Sequence, residues 1–363
     1  MYRYETIAKE LIDGLSNGKY TGGRLPSERA LMDSFGVQRS TIRRALATLR
    51  SHGIIEVAPN RRPFVKELDP TAFERKPLPT SGNILFSVET IRESTARFDI
   101  EMGLHQALSD LGYGVIHHDP VQSPFPTPER IAQSNIIAAV IWAHMPASRQ
   151  SLQRLKDALP LVLVDRRIAG FGSDFVGFDD EAGGRGATDH LLSLGHRRIG
   201  FLSGEVGAET VSERWRGYSA ALVDADVMPE PEWILHLAHM RQMSVEMSHQ
   251  YLESFISQSA CPLTAVVCAS DSTAAILIGF LRATGRSVPG DVSVIGFGDL
   301  LPDYLRAIGL TTMAQTFTDV GCNAAQLLIA RLAENSPDGI YREIRLPMRL
   351  VVRSSSAAAP SPG

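Results

Sequence analysis

Three arginines lie along one edge of a predicted helix near the amino terminus. In the stretch from Arg39 to His52, the residues Arg39, Arg43 and Arg50 fall within about 40° of one another when successive residues are placed 100° apart. A guanidinium group donates forked hydrogen bonds to guanine O6 and N7 or to phosphate oxygens, so this edge suits contact with DNA. The helix also has an apolar stripe that can pack on other helices: Ile42, Ala45, Leu46 and Leu49.

The preceding residues predict the helices against which this one packs. Residues 5–15 place apolar side chains on one helical face, and a glycine-rich turn follows. Ser27 can cap a second helix that runs to about Phe35, and Gly36 then ends this helix. Two helices joined by a turn that contains glycine form the helix-turn-helix arrangement, in which the second helix enters the major groove.

A short basic hairpin is predicted next. Residues 54–57 and 64–66 favour two strands, and the tip between them carries Asn60, Arg61 and Arg62. A basic tip of this kind suits a minor groove or the DNA backbone. We therefore predict an α+β winged helix-turn-helix head over residues 1–66.

The charge distribution favours a polyanionic partner for the head alone. Residues 1–66 hold 12 Lys and Arg against 6 Asp and Glu, whereas the other residues hold 24 against 34, which gives a net charge of −4 over 363 residues. Chance clustering would explain these counts taken by themselves. Together with the helix-turn-helix pattern, they indicate that double-stranded DNA binds the basic head.

The rest of the chain predicts a different architecture. Residues 67–82 are rich in proline and favour a semi-extended linker. Beyond them, nearly continuous apolar runs alternate with amphipathic helices, a pattern typical of parallel strands covered on both faces. We predict a doubly wound α/β body over residues 83–353 and a disordered tail, rich in Ser, Ala and Pro, over residues 354–363. The apolar runs are Ile84–Val88, Ala138–Trp142, Leu161–Val164, Ile199–Ser203, Ala265–Ala269 and Val292–Phe297.

Polar and aromatic side chains stand where these predicted strands end, which is where open α/β sheets bind ligands. Trp142 and His144 follow one run, and Asp165 follows another. The mixture suits a polyhydroxylated or charged small molecule, although capping or surface exposure explains each residue singly as well. Asp271, for instance, suits a helix cap. Residues 183–187, GGRGA, lack the Gly-Lys-Ser/Thr ending of a phosphate loop and favour helix packing.

Other features bound the class of protein. No run of 18 apolar residues predicts a membrane helix, and the amino terminus predicts no export signal. The 3 cysteines lack metal-ligand spacing, which favours a reducing, cytoplasmic compartment. Because no nucleophile elbow or metal-ligand cluster is found, we predict no enzymatic activity, no cofactor and no metal. The alternative is an exported or cytosolic solute-binding protein, or an enzyme, with the same body fold.

The head resembles the DNA-binding domain of the GntR family over about residues 4–65. The resemblance is carried by the run GGRLPSERALMDSFGVQRSTIRRALATLRSHGIIEV. Gln38 stands where the family prefers a small hydroxyl cap, so either the start of the helix is looser or Gln38 itself reads a base. Asn60 and Arg62 replace the usual glycines of the wing. The residues implied to contact DNA are Arg29, Gln38, Arg39, Ser40, Thr41, Arg43, Asn60, Arg61 and Arg62.

The body resembles the effector domain of the LacI/GalR family over about residues 82–353. The resemblance is carried by the runs FVGFDDEAGGRGATDHLLSLGHRRIGFLSG, ERWRGYSAAL and LTTMAQ. It implies a periplasmic-binding-protein-like fold of two lobes, an effector in the cleft between them, a homodimer and three crossings between the lobes. The crossings are expected near Phe178–Asp179, Met313–Ala314 and Asn335–Gly339.

Arg214, three residues before Gly217, matches the family arginine that grips the effector. Gly298 stands where the family commonly has a ligand-binding Asp, which makes the neighbouring Asp299 the candidate replacement. With the aromatic and polar residues at the strand ends, the predicted ligand-binding residues are Phe98, Trp142, His144, Asp165, Thr210, Arg214, Ser270 and Asp299.

The two resemblances together predict a DNA-binding transcription regulator. We expect a repressor whose operator affinity is controlled by a sugar or sugar derivative. LacI-type proteins join head and body through a hinge helix, which the proline-rich residues 67–82 do not predict. Signalling is therefore expected to pass through contacts between the bodies of a dimer.

Overall fold

The computed structural model divides the chain into two compact units. One comprises residues 1–79 with 329–342, and the other comprises residues 80–328 with 343–363. No helix of the described residues is long and apolar enough to cross a membrane. The structure describes residues 7, 10, 11, 14, 20, 25–51, 55–56, 64–65, 78–88, 95–142, 149–205, 207–237, 243–257, 262–333 and 341–360.

The head contains the predicted pair of helices, α1 (Glu28–Phe35) and α2 (Arg39–Ser51). The Ser27 hydroxyl accepts a hydrogen bond from the backbone N–H of Ala30, which satisfies one of the free amides at the start of α1. Gly36 ends α1 in the left-handed region at φ 61°, where glycine avoids the clash that a Cβ would cause. The buried core of the head comprises Ile7, Leu11, Leu25, Leu31, Ile42, Ala45, Leu46 and Leu49.

The wing is confirmed as a short antiparallel pair. Strand β1 (Ile55–Glu56) lies against β2 (Phe64–Val65), with Ile55 opposite Val65. The tip of the hairpin, with Asn60, Arg61 and Arg62, lies outside the described residues. The head is thus a winged helix-turn-helix, as the sequence predicts.

The body alternates strands and helices along the chain. In order, its elements are β3 (Gly82–Val88), α3 (Thr95–Leu108), β4 (Tyr113–His118), α4 (Pro128–Gln133), β5 (Ile136–Trp142), α5 (Arg149–Ala158), β6 (Leu161–Val164), β7 (Asp174–Phe178), α6 (Asp180–Ser193), β8 (Ile199–Ser203), α7 (Glu209–Asp224), β9 (Ile234–His236), α8 (Val245–Ile256), β10 (Ala265–Cys268), α9 (Asp271–Ala283), β11 (Ser293–Gly298), α10 (Pro302–Ile308), β12 (Thr311–Ala314), α11 (Phe317–Ala333), β13 (Glu343–Leu346) and β14 (Arg349–Val351).

These strands form two six-stranded sheets, one for each lobe. The first lobe has the strand order β13-β7-β6-β5-β3-β4, and the second has β14-β12-β11-β10-β8-β9. Neighbouring strands run parallel except β12 and β14, which are antiparallel. The long apolar runs of the sequence become β3, β5, β6, β8, β10 and β11, which confirms the doubly wound α/β prediction.

The chain passes between the lobes three times. The first crossing, after Phe178, and the second, after Ala314, lie where the sequence predicts them. The third prediction, at residues 335–339, is wrong. Strand β13 pairs with β7 in the first lobe and β14 pairs with β12 in the second, so the chain crosses between Leu346 and Arg349. Both strands are short and carry charged residues, and for that reason they lack the apolar run that marks the other strands.

Two glycines allow α6 and α7 to approach closely. A Cβ on Gly184 of α6 would overlap the carbonyl oxygen of Arg214, and one on Gly217 of α7 would overlap that of Glu181. The two backbones therefore touch directly, as the packing interpretation of GGRGA requires. In the first lobe, Gly103 of α3 and Gly321 of α11 each face the backbone of the opposite helix in the same way.

The carboxyl-terminal segment packs on the second lobe. Ser355 is buried, and its backbone N–H donates to the carbonyl of Gly309, while its own carbonyl accepts from Val294. The Ser355 hydroxyl accepts from the backbone N–H of Thr311. The prediction of a disordered tail is therefore wrong as far as residue 360, because backbone hydrogen bonds fix small side chains that a composition count assigns to disorder.

We expect removal of this segment to destabilise the body. Shortening the chain after Arg353 leaves the buried partners of Ser355 without hydrogen bonds and should lower the free energy of unfolding by at least about 3 kcal/mol. Urea denaturation followed by circular dichroism measures the change. Shortening after Pro360 is the control and should leave the midpoint unchanged. Equal midpoints for both shortened chains would contradict the assigned packing.

The close approach of α6 and α7 also predicts opposite effects for two neighbouring glycines. Gly184→Ala forces the helices apart and should cost about 3 kcal/mol of unfolding free energy. Gly186→Ala lies in the same helix but meets only the side-chain Cε of Met313 at 3.5 Å. It should stabilise the protein by about 0.5–1 kcal/mol, because alanine is the better helix former. Denaturation curves measure both effects. A neutral Gly184→Ala would contradict the close contact between α6 and α7.

Candidate DNA-binding face and effector cleft

The two predicted recognition arginines converge on one carboxylate. Arg39 Nε donates to Glu28 Oε2 at 2.7 Å, and Arg43 Nε lies 3.3 Å from the same carboxylate. The hydrogen bond from Arg39 is the main cause of a lowered Glu28 pKa. Both arginine side chains remain more than 60% exposed, at 63% and 61%. Glu28 thus orients two cationic groups that still face solvent.

Sequence reasoning missed Glu28, although its place in the first turn of α1 favours an acid near the positive end of the helix dipole. Arg29 is exposed on α1, and Gln38 is exposed just before α2. The carbonyl of Gln38 accepts from the backbone N–H groups of Thr41 and Ile42 and so starts α2. Outside the described part of the head lie the side chain of Ser40 and the residues Asn60, Arg61 and Arg62.

Contacts within the protein fix the side chain of Arg214. Its side chain is only 8% exposed. Nε donates to Asp180 Oδ1 at 2.7 Å, and Nη1 donates to the carbonyl of Ala269 at 2.6 Å. The guanidinium carbon lies 4.6 Å from the centroid of the Phe297 ring. Arg214 is therefore anchored at the carboxyl ends of β10 and β11.

Asp180, the partner of Arg214, is a residue that sequence reasoning missed. Burial raises its pKa to about 6, the charges of Asp165 and Glu213 add to the rise, and Arg214 opposes it. A signal exists in the sequence, because two acids follow the first crossing. Asp179 caps α6 by accepting from the N–H of Ala182, which leaves Asp180 to point inward.

The first lobe supplies an aromatic wall with one carboxylate. The indole N–H of Trp142 donates to Asp165 Oδ2 at 2.9 Å, and both side chains are buried. The Phe317 ring lies 5.8 Å from the Trp142 ring and 5.1 Å from the Phe178 ring, measured between centroids. The predicted residues Trp142 and Asp165 are thus brought together at the carboxyl ends of β5 and β6.

In the second lobe, Ser270 caps α9, so the expectation that Asp271 caps this helix is wrong. The Ser270 hydroxyl accepts from the backbone N–H of Thr273. Asp271 instead accepts from the hydroxyl of Thr312 and from the N–H of Asp299, both at 2.6 Å. Burial is the main cause of its raised pKa. Its carboxylate therefore ties α9 to β11 and β12.

Gly298 has a geometry that opposes a side chain. Its φ is 136°, and a Cβ there would lie 3.1 Å from Asp271 Oδ2. The carboxylate of Asp299 accepts from Arg353 at 2.7 Å, and both side chains are largely buried. Asp299 would thus have to bind an effector while it keeps this ion pair, so its ligand role stays a prediction.

The other predicted ligand residues that the structure describes differ in burial. Thr210 is buried on α7, one turn before Arg214. Phe98 on α3 is 54% exposed, and the guanidinium of Arg97 lies 4.7 Å from its ring centroid. His144 lies outside the described residues. Within the described residues, no three His, Cys, Asp or Glu side chains form a group that could hold a metal ion.

Two family models match separate parts of the chain. Residues 3–65 match the bacterial regulatory proteins of the gntR family. Residues 188–356 match the periplasmic binding protein-like domain. The first match covers the head and the second covers most of the second lobe.

Relatives of named function match nearly the whole chain or about two thirds of it. The chain is 27% identical to the arabinose metabolism transcriptional repressor of Geobacillus stearothermophilus, over 98% of this chain and 97% of that protein. It is 29% identical to the HTH-type transcriptional regulator GalR of Escherichia coli, over 64% of this chain and 66% of that protein. Both relatives are named as regulators of transcription.

Solved structures of transcription regulators are similar to about three quarters of this chain. A LacI family transcriptional regulator from Enterococcus faecium with bound ribose superposes with a TM-score of 0.61 and 27% identity, over 77% of this chain and all (100%) of that one. The transcription regulator GntR from Chromobacterium violaceum gives a TM-score of 0.60 and 27% identity, over 76% and 99% of the two chains.

Proposed function

We propose that this chain, which joins a gntR-family DNA-binding domain to a periplasmic binding protein-like domain, is a transcriptional repressor whose hold on operator DNA is controlled by a sugar or sugar derivative. The effector would bind between the lobes, at the carboxyl ends of the two parallel sheets. One observation carries the proposal. Arg214 pairs with Asp180 in one lobe and Trp142 pairs with Asp165 in the other. The charge of Asp165 acts on Asp180, so the two pairs lie close together, and we call these four residues the polar floor.

The chemistry of this floor supports a polyhydroxylated ligand. Carboxylates accept hydrogen bonds from ring hydroxyls and guanidinium groups donate to them, while the neighbouring Trp142 and Phe317 rings would face the C–H side of a sugar. The ribose-bound regulator and the arabinose repressor among the similar proteins point to the same class of effector. The residues proposed to bind it are those predicted from the sequence, with Asp180 added.

The proposed working form is a homodimer that acts in the cytoplasm, where operator DNA lies. A helix-turn-helix protein reads two half-sites about one helical turn apart, so a two-fold pair of heads matches a two-fold operator. Effector binding would close the lobes, change the contact between bodies and alter the spacing of the heads. Such coupling between sites amounts typically to about 1–3 kcal/mol.

We expect the head to bind DNA in a way that separates sequence reading from attraction to the backbone. Arg39→Ala and Arg43→Ala should relax the choice of operator sequence, whereas Arg61→Ala should weaken binding to all sequences alike. Gel-shift titrations with operator and scrambled DNA measure both. The affinity of the unaltered protein should fall steeply as salt rises, because bound phosphates release counterions. A flat salt response, or equal loss of specificity in all three variants, would contradict the assignment.

The cleft predicts a loss of effector response without a loss of operator binding. Arg214→Ala should abolish release from the operator by the effector while operator affinity in its absence changes little, because the head is untouched. Since Arg214 also pairs with buried Asp180, Thr210→Val provides a second variant that removes a hydroxyl from the same helix and no charge. Gel shifts with and without L-arabinose or D-ribose test both. Equal loss of operator affinity and response would count against the proposal.

A further inference from the structure

Asp180 is the more deeply buried of the two carboxylates in the polar floor, and only one of its oxygens has a donor. The side chain is 3% exposed, and Oδ1 accepts from Arg214 Nε at 2.7 Å. The hydrogen bonds of the described residues give Oδ2 no donor. A buried charged group that lacks a partner is costly, so this oxygen calls for a further hydrogen-bond donor.

The charged groups around Asp180 come from three other elements. From α7, Arg214 favours the ionised carboxylate, whereas Glu213 opposes it. Asp165, which follows β6, opposes it as well. Asp271 at the start of α9 is also stabilised by the charge of Arg214. A single guanidinium thus supports the charge of Asp180 against burial and two neighbouring acids.

The acids on either side of Asp180 in α6 have other roles. Asp179 caps the helix through a backbone N–H. Glu181 pairs with Arg216 at 3.3 Å, where both side chains are 54% exposed. Of these three consecutive acids, Asp180 alone pairs with Arg214 inside the protein. Its charge is therefore the one that a ligand on the polar floor would affect most directly.

The ionised and protonated forms of Asp180 are close in free energy near neutral pH. Burial is the largest cause that raises the pKa of this carboxyl, and the balance with Arg214 leaves the pKa at about 6. Most molecules therefore carry the charge at pH 7, and most carry the proton at pH 5. Protonation has a chemical consequence, because it turns a carboxylate oxygen from an acceptor into a hydrogen-bond donor.

We propose that ionisation of Asp180 controls effector binding, because only its carboxylate form accepts a hydrogen bond at Oδ2 from the effector. A donor on the effector stabilises the ionised carboxylate, so the effector and the proton exclude each other at this residue. The linkage is reciprocal: acid weakens effector binding, and effector binding releases a proton. The repressor would thus stop responding to its effector when the pH falls. This inference rests on the proposed function of the cleft as an effector site.

The donor that Asp180 accepts from is either a hydroxyl of a neutral sugar or the ammonium group of an amino sugar. Both donate to a carboxylate oxygen, and the ammonium group also gains from its charge. The probes are therefore L-arabinose, D-ribose, D-galactose and D-galactosamine. Binding of a neutral sugar would identify a hydroxyl as the donor, and binding of D-galactosamine alone would identify the ammonium group.

The test is isothermal titration of the full-length protein with these probes at pH 5, 6 and 7. Affinity should fall by about tenfold from pH 7 to pH 5, because the ionised fraction of Asp180 falls from about nine tenths to about one tenth. At pH 6, binding should release about half a proton per site. Titrations in two buffers that differ in their heat of ionisation measure this release.

Asp180→Asn resembles the protonated form at every pH. Its amide oxygen can still accept from Arg214, whereas its amide nitrogen is a donor and does not titrate. At pH 7 this variant should bind about tenfold more weakly than the unaltered protein, and its affinity should be the same at pH 5. Asp179→Asn is the matched control, because asparagine caps a helix as well as aspartate does. It should keep the tenfold fall.

Two results would overturn the inference and leave the effector site intact. One is equal affinity of the unaltered protein at pH 5 and pH 7, and the other is a tenfold fall that persists in Asp180→Asn. If Asp180→Asn does not fold, the unaltered protein still decides the matter, because binding at pH 6 without proton release would contradict the inference. Failure of the unaltered protein to bind any probe at pH 7 would overturn the proposed function as well.

Discussion

The contact between α6 and α7 determines where the central charge of the body lies. Gly184 and Gly217 let the two backbones touch, and the carbonyl beside Gly184 belongs to Arg214 itself. With α7 held at this distance, the Arg214 side chain reaches both Asp180 at the start of α6 and the end of β10. A buried guanidinium must keep its hydrogen-bond partners within reach, because an unpaired charge away from water is costly. The placement of Arg214 thus depends on two positions that have no side chain.

Charge is organised by the same rule in both units, although burial sets different outcomes. In the head, Glu28 orients Arg39 and Arg43 at the surface, where the arginines stay available for a partner. In the body, Asp180 holds Arg214 away from water and fixes it. The ion pairs between the lobes include both situations, because Glu213, which pairs with Arg345, is 9% exposed, whereas Glu205, which pairs with Arg166, is 48% exposed. Solvent access, rather than the kinds of residue involved, therefore determines whether an arginine is fixed in the protein or stays available for a partner.

Local patterns predicted the elements whose cause is local. The apolar stripe of α2, the cap at Ser27 and the long buried strands each follow from neighbouring residues. Strands β13 and β14 and the segment around Ser355 were missed or placed wrongly, because partners distant in sequence hold them. Glu28 and Asp180 were missed, and Asp271 was wrongly assigned to a helix cap, for the same reason. Each acts through a contact across the fold, and an ionisable residue considered alone is equally consistent with a solvated surface.

The third crossing has a consequence for synthesis of the protein. Both sheets of the body receive a strand from residues 343–351, long after the other strands of the first lobe have been made. The head, by contrast, draws its helices and wing from a short early stretch. Since domains fold as units while the chain emerges from the ribosome, the head can acquire its structure first. Neither lobe can be completed until the final strands are released, so the two lobes reach their finished form together.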